Sequence, residues 1–323
     1  MKAIRALPGP DGGTVAIQEL PTPAPGPGQV LIKVQAAGLN RGEIKQAREL
    51  RSGSAVTMGV ECAGEVAAVG EGVSAWRPGD RVMGHGRGCQ ADYAVLDERA
   101  LMAVPDRLSW TDAAAFPNVY ITAHDAVVTN AHLRAGESVL INGAAGGVSM
   151  AAIQIAKLIG ATPIIGTSRS AAKLEKLSRY GLDVGIDVSQ GSQVDLVTRA
   201  TEGRGVDVII DTVGASVFEE NIQSLAVKGR LIHIARFGSP IASLDLTQLW
   251  LKRLQLIGVT FRTRTEAERL ACIQSCAQDL LPALSRGDIE LLVDRTFPMS
   301  DIAAAHAYML DDRHVGKIVL TAG

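Results

Sequence analysis

The chain opens with short runs in which apolar and polar residues alternate, broken at close intervals by glycine and proline. "QVLIKVQAAGL", "GEVAAVG", "DRVMGHG" and "ADYAVLD" read as strands. "PGPG" and "RPGD" punctuate them, so residues 1 to about 123 predict an irregular β-rich domain. "PTPAPGPGQ" (Pro21 to Gln29) has the composition of a linker. Strand-like sequence continues on both sides of it, and it reads as a rigid surface loop. From about residue 126 the rhythm changes. "SVLINGA", "TPIIGTS", "VGIDV", "VDVIIDTVG", "GRLIHIA" and "LQLIGVT" are strand-like, with helical stretches such as Gly146 to Leu158 and "SAAKLEKLSRYG" between several of them. Apolar runs of this kind belong to strands covered on both faces, which predicts a parallel sheet with helices on each side. Thr265 to Ser285 predicts a long helix, and "HVGKIVLTAG" a closing strand.

Bulk properties narrow the function. The 323 residues suffice for two domains with substantial cores. With 47% hydrophobic and 20% charged residues, the chain is too apolar to be disordered. A formal net charge of −2 and no basic run argue against a nucleic-acid partner, and 4% aromatics offer few stacking platforms. The N-terminus lacks the apolar stretch of a secretory signal, and no apolar run is long enough to span a bilayer. A cytoplasmic protein without membrane association is expected. Four cysteines suggest no oxidised framework. Cys272 and Cys276 are four apart on a predicted helix, but no further ligand lies near them, so they read as ordinary helix cysteines.

The chemistry begins at "VLINGAAGGVSMAAIQIAKLIG", a strand, a glycine turn and a helix. Dinucleotide-binding loops use three glycines: one for the turn, one for close approach to pyrophosphate, one for packing helix on strand. Here the register is Ala144, Gly146, Ser149, with Gly147 in addition. The middle position keeps its glycine, and the backbone amides of Gly146, Gly147 and Val148 can face an anion at the helix N-terminus. A ligand-free glycine-rich helix start is the plainer alternative. The next strand ends "GTSRSAAK". No carboxylate follows until Glu175, whereas an NAD site places one there for the ribose 2′-hydroxyl. Ser168, Arg169 and Lys173 suit a 2′-phosphate instead, which points to NADPH (NADP). Solvated charges on an exposed helix are the competing reading of Arg169 and Lys173.

The chain resembles the zinc-free, quinone oxidoreductase-like branch of the medium-chain dehydrogenase/reductase superfamily, nearly end to end. "AAGLNRGE" resembles that branch's "AAGLNxxD", and "GVECAGEVAAVGEGVSAWRPGDRV" its "GxExAGxVxxVGxxVxxxxxGDRV". "GCQADYAV", "AAGGVSMAAIQIAK" and "HVGKIVL" resemble its "GGYAEYxx", "AAGGVGxxAxQxAK" and "xxGKxVL". The resemblance implies a mixed α/β architecture: a GroES-like β-rich catalytic domain from residues 1–125 and 262–323, and a Rossmann doubly wound parallel sheet domain over 126–261. It implies a homodimer and a small-molecule substrate. Zinc members need a cysteine near position 40 and a histidine before the glutamate of "GHE", where this chain has Asn40 and Val60. Glu61 remains, but one carboxylate is no zinc site. His85, in "MGHGRG", reads as a surface or hydrogen-bonded histidine.

Without a Lewis acid, hydride must go to an acceptor that is already electrophilic, a quinone or an enone or enal. The resemblance places Asn40 beside nicotinamide and substrate, and Thr122 against nicotinamide or ribose. Tyr120 is a candidate proton donor, with a half-buried core tyrosine as the alternative. Relatives carry a tyrosine a few residues after "GLN". Here "GLNRGEIKQARELRSGSA" has none, and its charges read as an exposed helix. Strand ends supply further cofactor contacts: Val213 after the fourth strand, Ala235 and Phe237 after the fifth, Phe261 after the sixth, with Arg313 near the C-terminus reaching toward the 2′-phosphate. The expected activity is NADPH-dependent reduction of a quinone or α,β-unsaturated carbonyl. A zinc-free alcohol or aldehyde oxidoreductase, an enoyl-thioester reductase, and a crystallin-like NADPH-binding protein without turnover are the alternatives.

Overall fold

The strand Gln29–Leu39 organises the N-terminal region. Its eleven residues are long enough to pair antiparallel with three partners, Glu61–Val69, Tyr93–Asp97 and Lys317–Thr321. Glu61–Val69 pairs onward with Arg81–His85, which pairs with Leu101–Ala103. On the other side Val293–Pro298 runs parallel to Lys317–Thr321, completing a seven-stranded sheet. A three-stranded sheet forms from Thr14–Glu19, Lys2–Leu7 and Val56–Thr57. The helices Arg41–Glu49 and Ile302–Leu310 bury Ile44, Ile302 and Met309 in one core with Leu39 and Ile318. A second core is built from Val30, Ile32, Val66, Val82 and Leu96.

The computed structural model describes residues 1–235 and 238–322, and the chain divides into two compact units. The first runs from Met1 to Val119 and resumes at Leu270; the second is Tyr120–Arg269. The second unit is a six-stranded parallel sheet of Val139–Ile141, Ile164–Ser168, Val184–Asp187, Val206–Asp211, Leu225–His233 and Gln255–Gly258. Numbered by appearance, their spatial order is 3-2-1-4-5-6, the doubly wound dinucleotide order. Its strands are apolar throughout because both faces are covered: Leu140, Ile165 and Ile209 have no exposed surface. The order reverses between Val139–Ile141 and Val206–Asp211, where such sheets take ligands at their carboxyl ends.

Local chemistry shapes the elements. The helix Gly147–Ile159 stops at Gly160, whose φ of 85° lets the chain turn away in the left-handed region. The stretch "SAAKLEKLSRYG" splits into the helix Ala171–Glu175 and a 3-10 turn at Ser178–Tyr180. The sixth strand ends at Gly258, short of Phe261. No helix among the described residues is long and apolar enough to cross a membrane. Leu140 sits on the central strand, so Leu140→Ala is expected to remove about 2–5 kcal/mol of stability. The urea midpoint of the second unit's unfolding transition reads the loss.

Candidate functional site

In the first unit, strand register gathers one buried polar cluster. Ile318 lies opposite Leu39, which sets Lys317 beside Asn40. Cys62 lies opposite Ala37, which brings Glu61 against Gly38. A Cβ on Gly38 would stand 2.1 Å from Glu61 Oε1, so only glycine leaves room for that carboxylate. Lys317 and Glu61 are both buried, at 5% and 0% exposure. The Lys317 ammonium donates to Glu61 Oε1 at 2.6 Å, to Asn40 Oδ1 at 2.9 Å and to the Leu39 carbonyl at 3.2 Å. Three oxygens match the three donors of an ammonium, which is what a buried lysine charge requires.

Asn40 is the hub. Its amide nitrogen donates to Glu43 Oε1 at 3.0 Å and Glu61 Oε1 at 2.9 Å. Its oxygen accepts from Lys317 Nζ and from Asn118 Nδ2, each at 2.9 Å. Both amide hydrogens and both lone pairs are therefore committed inside the first unit. Asn118 also donates its backbone N–H to Glu61 Oε2 at 2.7 Å, and its Oδ1 faces His85 Nε2 at 3.2 Å. His85 is the cross-strand partner of Glu61, so the two side chains leave the same face of the sheet. Unlike Glu61, His85 is only half-buried.

Glu43 departs from the exposed helix expected of "EIKQARELR". Lys45 and Glu49 do face water, but Glu43 in the first turn points inward and is buried. It accepts from Asn40, from the Val60 backbone at 3.2 Å and from Gln90 Nε2 at 2.8 Å. Burial pushes its carboxyl up to about 7, and the Glu61 charge adds to the rise; the Asn40 hydrogen bond, Lys317 and the Val60 N–H oppose it. Two carboxylates share one ammonium here, which favours the neutral form of Glu43. Gln90 Oε1, buried without a hydrogen-bond partner, becomes its acceptor if the amide turns over.

In the second unit the glycine loop has the geometry of an anion cradle. The positive φ of the turn, 61°, falls on Gly143, one residue before the Ala144 assigned to that role from sequence. Ala144 instead packs against Gly166, where a Cβ would meet its methyl at 2.8 Å. The loop is tied down by Ala144 N–H to the Thr167 carbonyl at 2.8 Å and by Thr212 Oγ1 to the Asn142 carbonyl at 2.9 Å. Ser149 Oγ donates to the same carbonyl at 3.2 Å, so the serine in the third position fastens helix to strand. Gly146 begins the helix, and no side chain caps it. A Cβ on Gly146 would touch Gly143 O at 3.5 Å, an ordinary contact. The fold itself does not demand glycine there, whereas a pyrophosphate brought against the backbone does.

Around this loop, Ser168 ends the second strand with its Oγ accepting from Ser170 N–H at 3.2 Å. Arg169 is exposed and Lys173 half-buried on the turn that follows. The structure adds a carboxylate that linear spacing missed: Asp187, at the end of the third strand, pairs in register with Ser168. Its charge is held below the usual carboxylate range by Ser189 and by the Ala171 N–H. Val213 donates its backbone N–H to buried Asp211 Oδ1 at 2.8 Å, and His233 Nδ1 lies 3.0 Å from Asp211 Oδ2. Phe261 lies under the Arg264 guanidinium at 5.0 Å. Ala235 is half-buried after the fifth strand, and Phe237 lies outside the described residues.

Three expected site residues sit in environments that spacing did not foretell. Tyr120 is 3% exposed, and its phenol oxygen accepts from Gln154 Nε2 at 2.8 Å, on the helix that begins at Gly147. Thr122 is half-buried two residues on, in the helix Pro117–His124. Arg313 belongs to the first unit, exposed, bridged to Asp311 at 2.7 Å and 5.5 Å from the Tyr308 ring. Sequence reading missed Glu43, Asn118 and Lys317. Lys317 was the legible one, a lone charge inside the apolar strand "GKIVL".

The chain matches two family models, an alcohol dehydrogenase GroES-like domain over residues 26–106 and a zinc-binding dehydrogenase over residues 147–275. It is 30% identical to the quinone oxidoreductase-like protein 2 of Rattus norvegicus, over 95% of this chain and 89% of that protein. It is 33% identical to a phenolphthiocerol/phthiocerol polyketide synthase of Mycobacterium tuberculosis, over 91% of this chain but only 13% of that protein's length. A mycobacterial protein solved in complex with NADPH superposes with a TM-score of 0.88 at 28% identity, over 99% of this chain and 100% of that one. With a β-rich GroES-like unit, a doubly wound nucleotide-type sheet and relatives that span it almost completely, the chain belongs to the medium-chain dehydrogenase/reductase superfamily of oxidoreductases.

Proposed function

We propose that the protein is an NADPH-dependent, zinc-independent reductase of a quinone or an α,β-unsaturated carbonyl. The observation that carries the cofactor half is Gly146: an uncapped helix start with room for a Cβ that the sequence does not use. Gly146, Gly147 and Val148 would hold the diphosphate through backbone N–H groups, and Ser168, Arg169 and Lys173 the 2′-phosphate. Val213, Ala235 and Phe261, at or beyond strand ends, line the nicotinamide half in this reading. Asp187 beside Ser168 is the counterweight, a carboxylate that favours a ribose hydroxyl. The two cations on the adjoining turn support NADPH in this reading.

Zinc does not fit the first unit's cluster. The position beside Glu61 is taken by the Lys317 ammonium, and Asn40 and Val60 bring no thiolate or imidazole. Among the described residues no group of three or more His, Cys, Asp or Glu is gathered to hold a metal ion. When bound, the reduced nicotinamide supplies a hydride, which an acceptor already polarised by conjugation takes without a Lewis acid. Asn40, fully committed to its neighbours, acts as a positioning residue. Thr122 orients the nicotinamide side, and Tyr120 fixes the loop helix through Gln154. A homodimer in the cytoplasm completes the reading. Its support is the open edge strand Gln255–Gly258 with Trp250, Leu251 and Leu256 exposed, a surface an identical strand would cover.

Three outcomes are expected. Gly146→Ala leaves the melting temperature unchanged and weakens NADPH binding at least about tenfold by calorimetry, a loss of about 1.4 kcal/mol. Unaltered affinity would remove the loop from the site. Replacing Arg169 and Lys173 together with Ala weakens NADPH far more than NADH; an equal loss for both rejects the phosphate assignment. The third concerns Glu43, whose folded value near 7 lies above the ordinary 4.5. The folded state keeps a proton that the unfolded chain releases, so stability falls as pH rises from about 4.5 to about 7. Glu43→Gln should flatten that slope in urea unfolding; identical slopes would place the titration elsewhere.

A further inference from the structure

A cavity of about 290 Å³ opens within the first unit, between the start of the strand Thr14–Glu19, the helix Arg41–Glu49 and the helix Ile302–Leu310. Its floor is the outer side of an apolar core. Ile44, Ala47 and Ile302 line it, all three buried in the cluster that also holds Leu39 and Ile318. Val15 and Ala303 add apolar wall. Gly13 closes one side. Its N–H donates to the Arg48 carbonyl at 3.2 Å, and a Cβ there would stand 2.1 Å from the Ala47 carbonyl oxygen. Only glycine lets this loop lie against the helix. A packed floor and a tied loop make a preformed site, at the small end of ligand cavities.

Polar groups border the cavity on one side: Arg48, His306 and the Thr14 hydroxyl. Arg48 is exposed in the last turn of its helix. The adjacent Glu49 is turned to Lys45 at 3.8 Å, and Arg48 makes no ion pair among the described residues. His306 is half-buried, and its Nε2 is sealed from water with no hydrogen-bond partner. An orphaned N–H is rarer in folded proteins than an orphaned acceptor, so the neutral ring keeps its hydrogen on Nδ1. Burial, and then the Arg48 charge, push the imidazole down to about 4, so the ring lines the cavity uncharged at neutral pH. A guanidinium and a ring N–H therefore offer donors, and no aspartate or glutamate lines the cavity to meet them.

We propose that this cavity binds a small monocarboxylate with a short apolar body, its carboxylate held by Arg48 and His306 and its body against Ile44, Ala47 and Ile302. Donors with no carboxylate of the chain to satisfy them select an anion, and a planar guanidinium matches two carboxylate oxygens at once. The apolar floor rewards a hydrocarbon body, which an inorganic anion lacks. The ligand replaces water on Ile44 and Ile302 and gives an unpaired cation its counter-charge in the same step. The cavity shares no lining residue with the buried polar cluster or with the glycine loop, so its occupancy is independent of the reductase reading.

Sodium hexanoate is the probe, followed in ring spectra of the six histidines of the full chain. The His306 signal is assigned as the one lost in His306→Gln. If that variant does not fold, it is the signal displaced in Ala303→Leu, one helical turn away. Hexanoate should move the His306 signal saturably, with a dissociation constant at or below about 1 mM. Arg48→Met, at an exposed position, should weaken binding at least about tenfold. Ala303→Leu, which narrows the cavity from another exposed position, should weaken it as much. 1-Hexanol carries the body alone and sodium sulfate the charge alone, and neither should move the signal at the same concentrations. Failure of hexanoate to saturate overturns the site. Unchanged affinity in Arg48→Met or in Ala303→Leu overturns it as well, and so does an equal shift by hexanol or by sulfate.

Discussion

Lys317 carries its charge inside a sheet, and the first unit is arranged around making that tolerable. An ammonium removed from water costs several kcal/mol unless every donor is met and a counter-charge is close. Strand register meets both conditions by setting Lys317 beside Asn40 and Glu61 beside Gly38, with 2.6 Å between ammonium and carboxylate. The ion pair then propagates outward. It orients the Asn40 amide, which orients Asn118, which orients His85. It also leaves Glu43 as the second carboxylate near a single cation, and burial raises its carboxyl to about 7. The positive charge at this cluster comes from a side chain of the strand Lys317–Thr321.

The second unit presents a different arrangement, a helix start with no side chain to cap it. Its glycine loop turns backbone dipoles outward at that helix start. The loop's shape is held from beneath: Thr167 and Thr212 fix its ends, and Asn142 continues into a buried chain with Gln193 and Asn221 at 2.9 and 3.0 Å. Such networks hold a loop in one geometry because breaking any member strands a polar group away from water. The glycine whose torsion makes the turn, Gly143, and the glycine at the helix start where a Cβ would fit, Gly146, are therefore distinct.

Hydrogen-bond capacity changes how motif residues are interpreted. Asn40 sits in the element most like that of relatives, and its position invites a role in contact with substrate. Its two hydrogens and two lone pairs are already spoken for, so its influence passes through its neighbours. Tyr120 is similar: a phenol 3% exposed that accepts from Gln154 is an anchor for the loop helix. His85 went the other way. As an isolated histidine in a glycine run it carried little weight, and the partners that give it a direction are 24 and 33 residues away.

The amino-acid sequence by itself determined the architecture. Short strand-like runs with glycine and proline breaks, then buried apolar runs between helices, are local properties, and they marked a β-rich part followed by a parallel sheet with helices on each side. The strand–glycine–helix pattern was legible for the same reason, since the geometry of that turn is set by residues adjacent in the chain. Only the tertiary structure decided the polar cluster. Asn40, Glu61, Asn118 and Lys317 come from four separate segments, and nothing local announces that strand register will bring them together. It also turned Glu43 inward from a helix whose charges suggested exposure and set Asp187 beside Ser168. Periodicity reports which face is apolar, but the partner of a buried charge is chosen by pairing across the sheet, and that information exists only once the chain has folded.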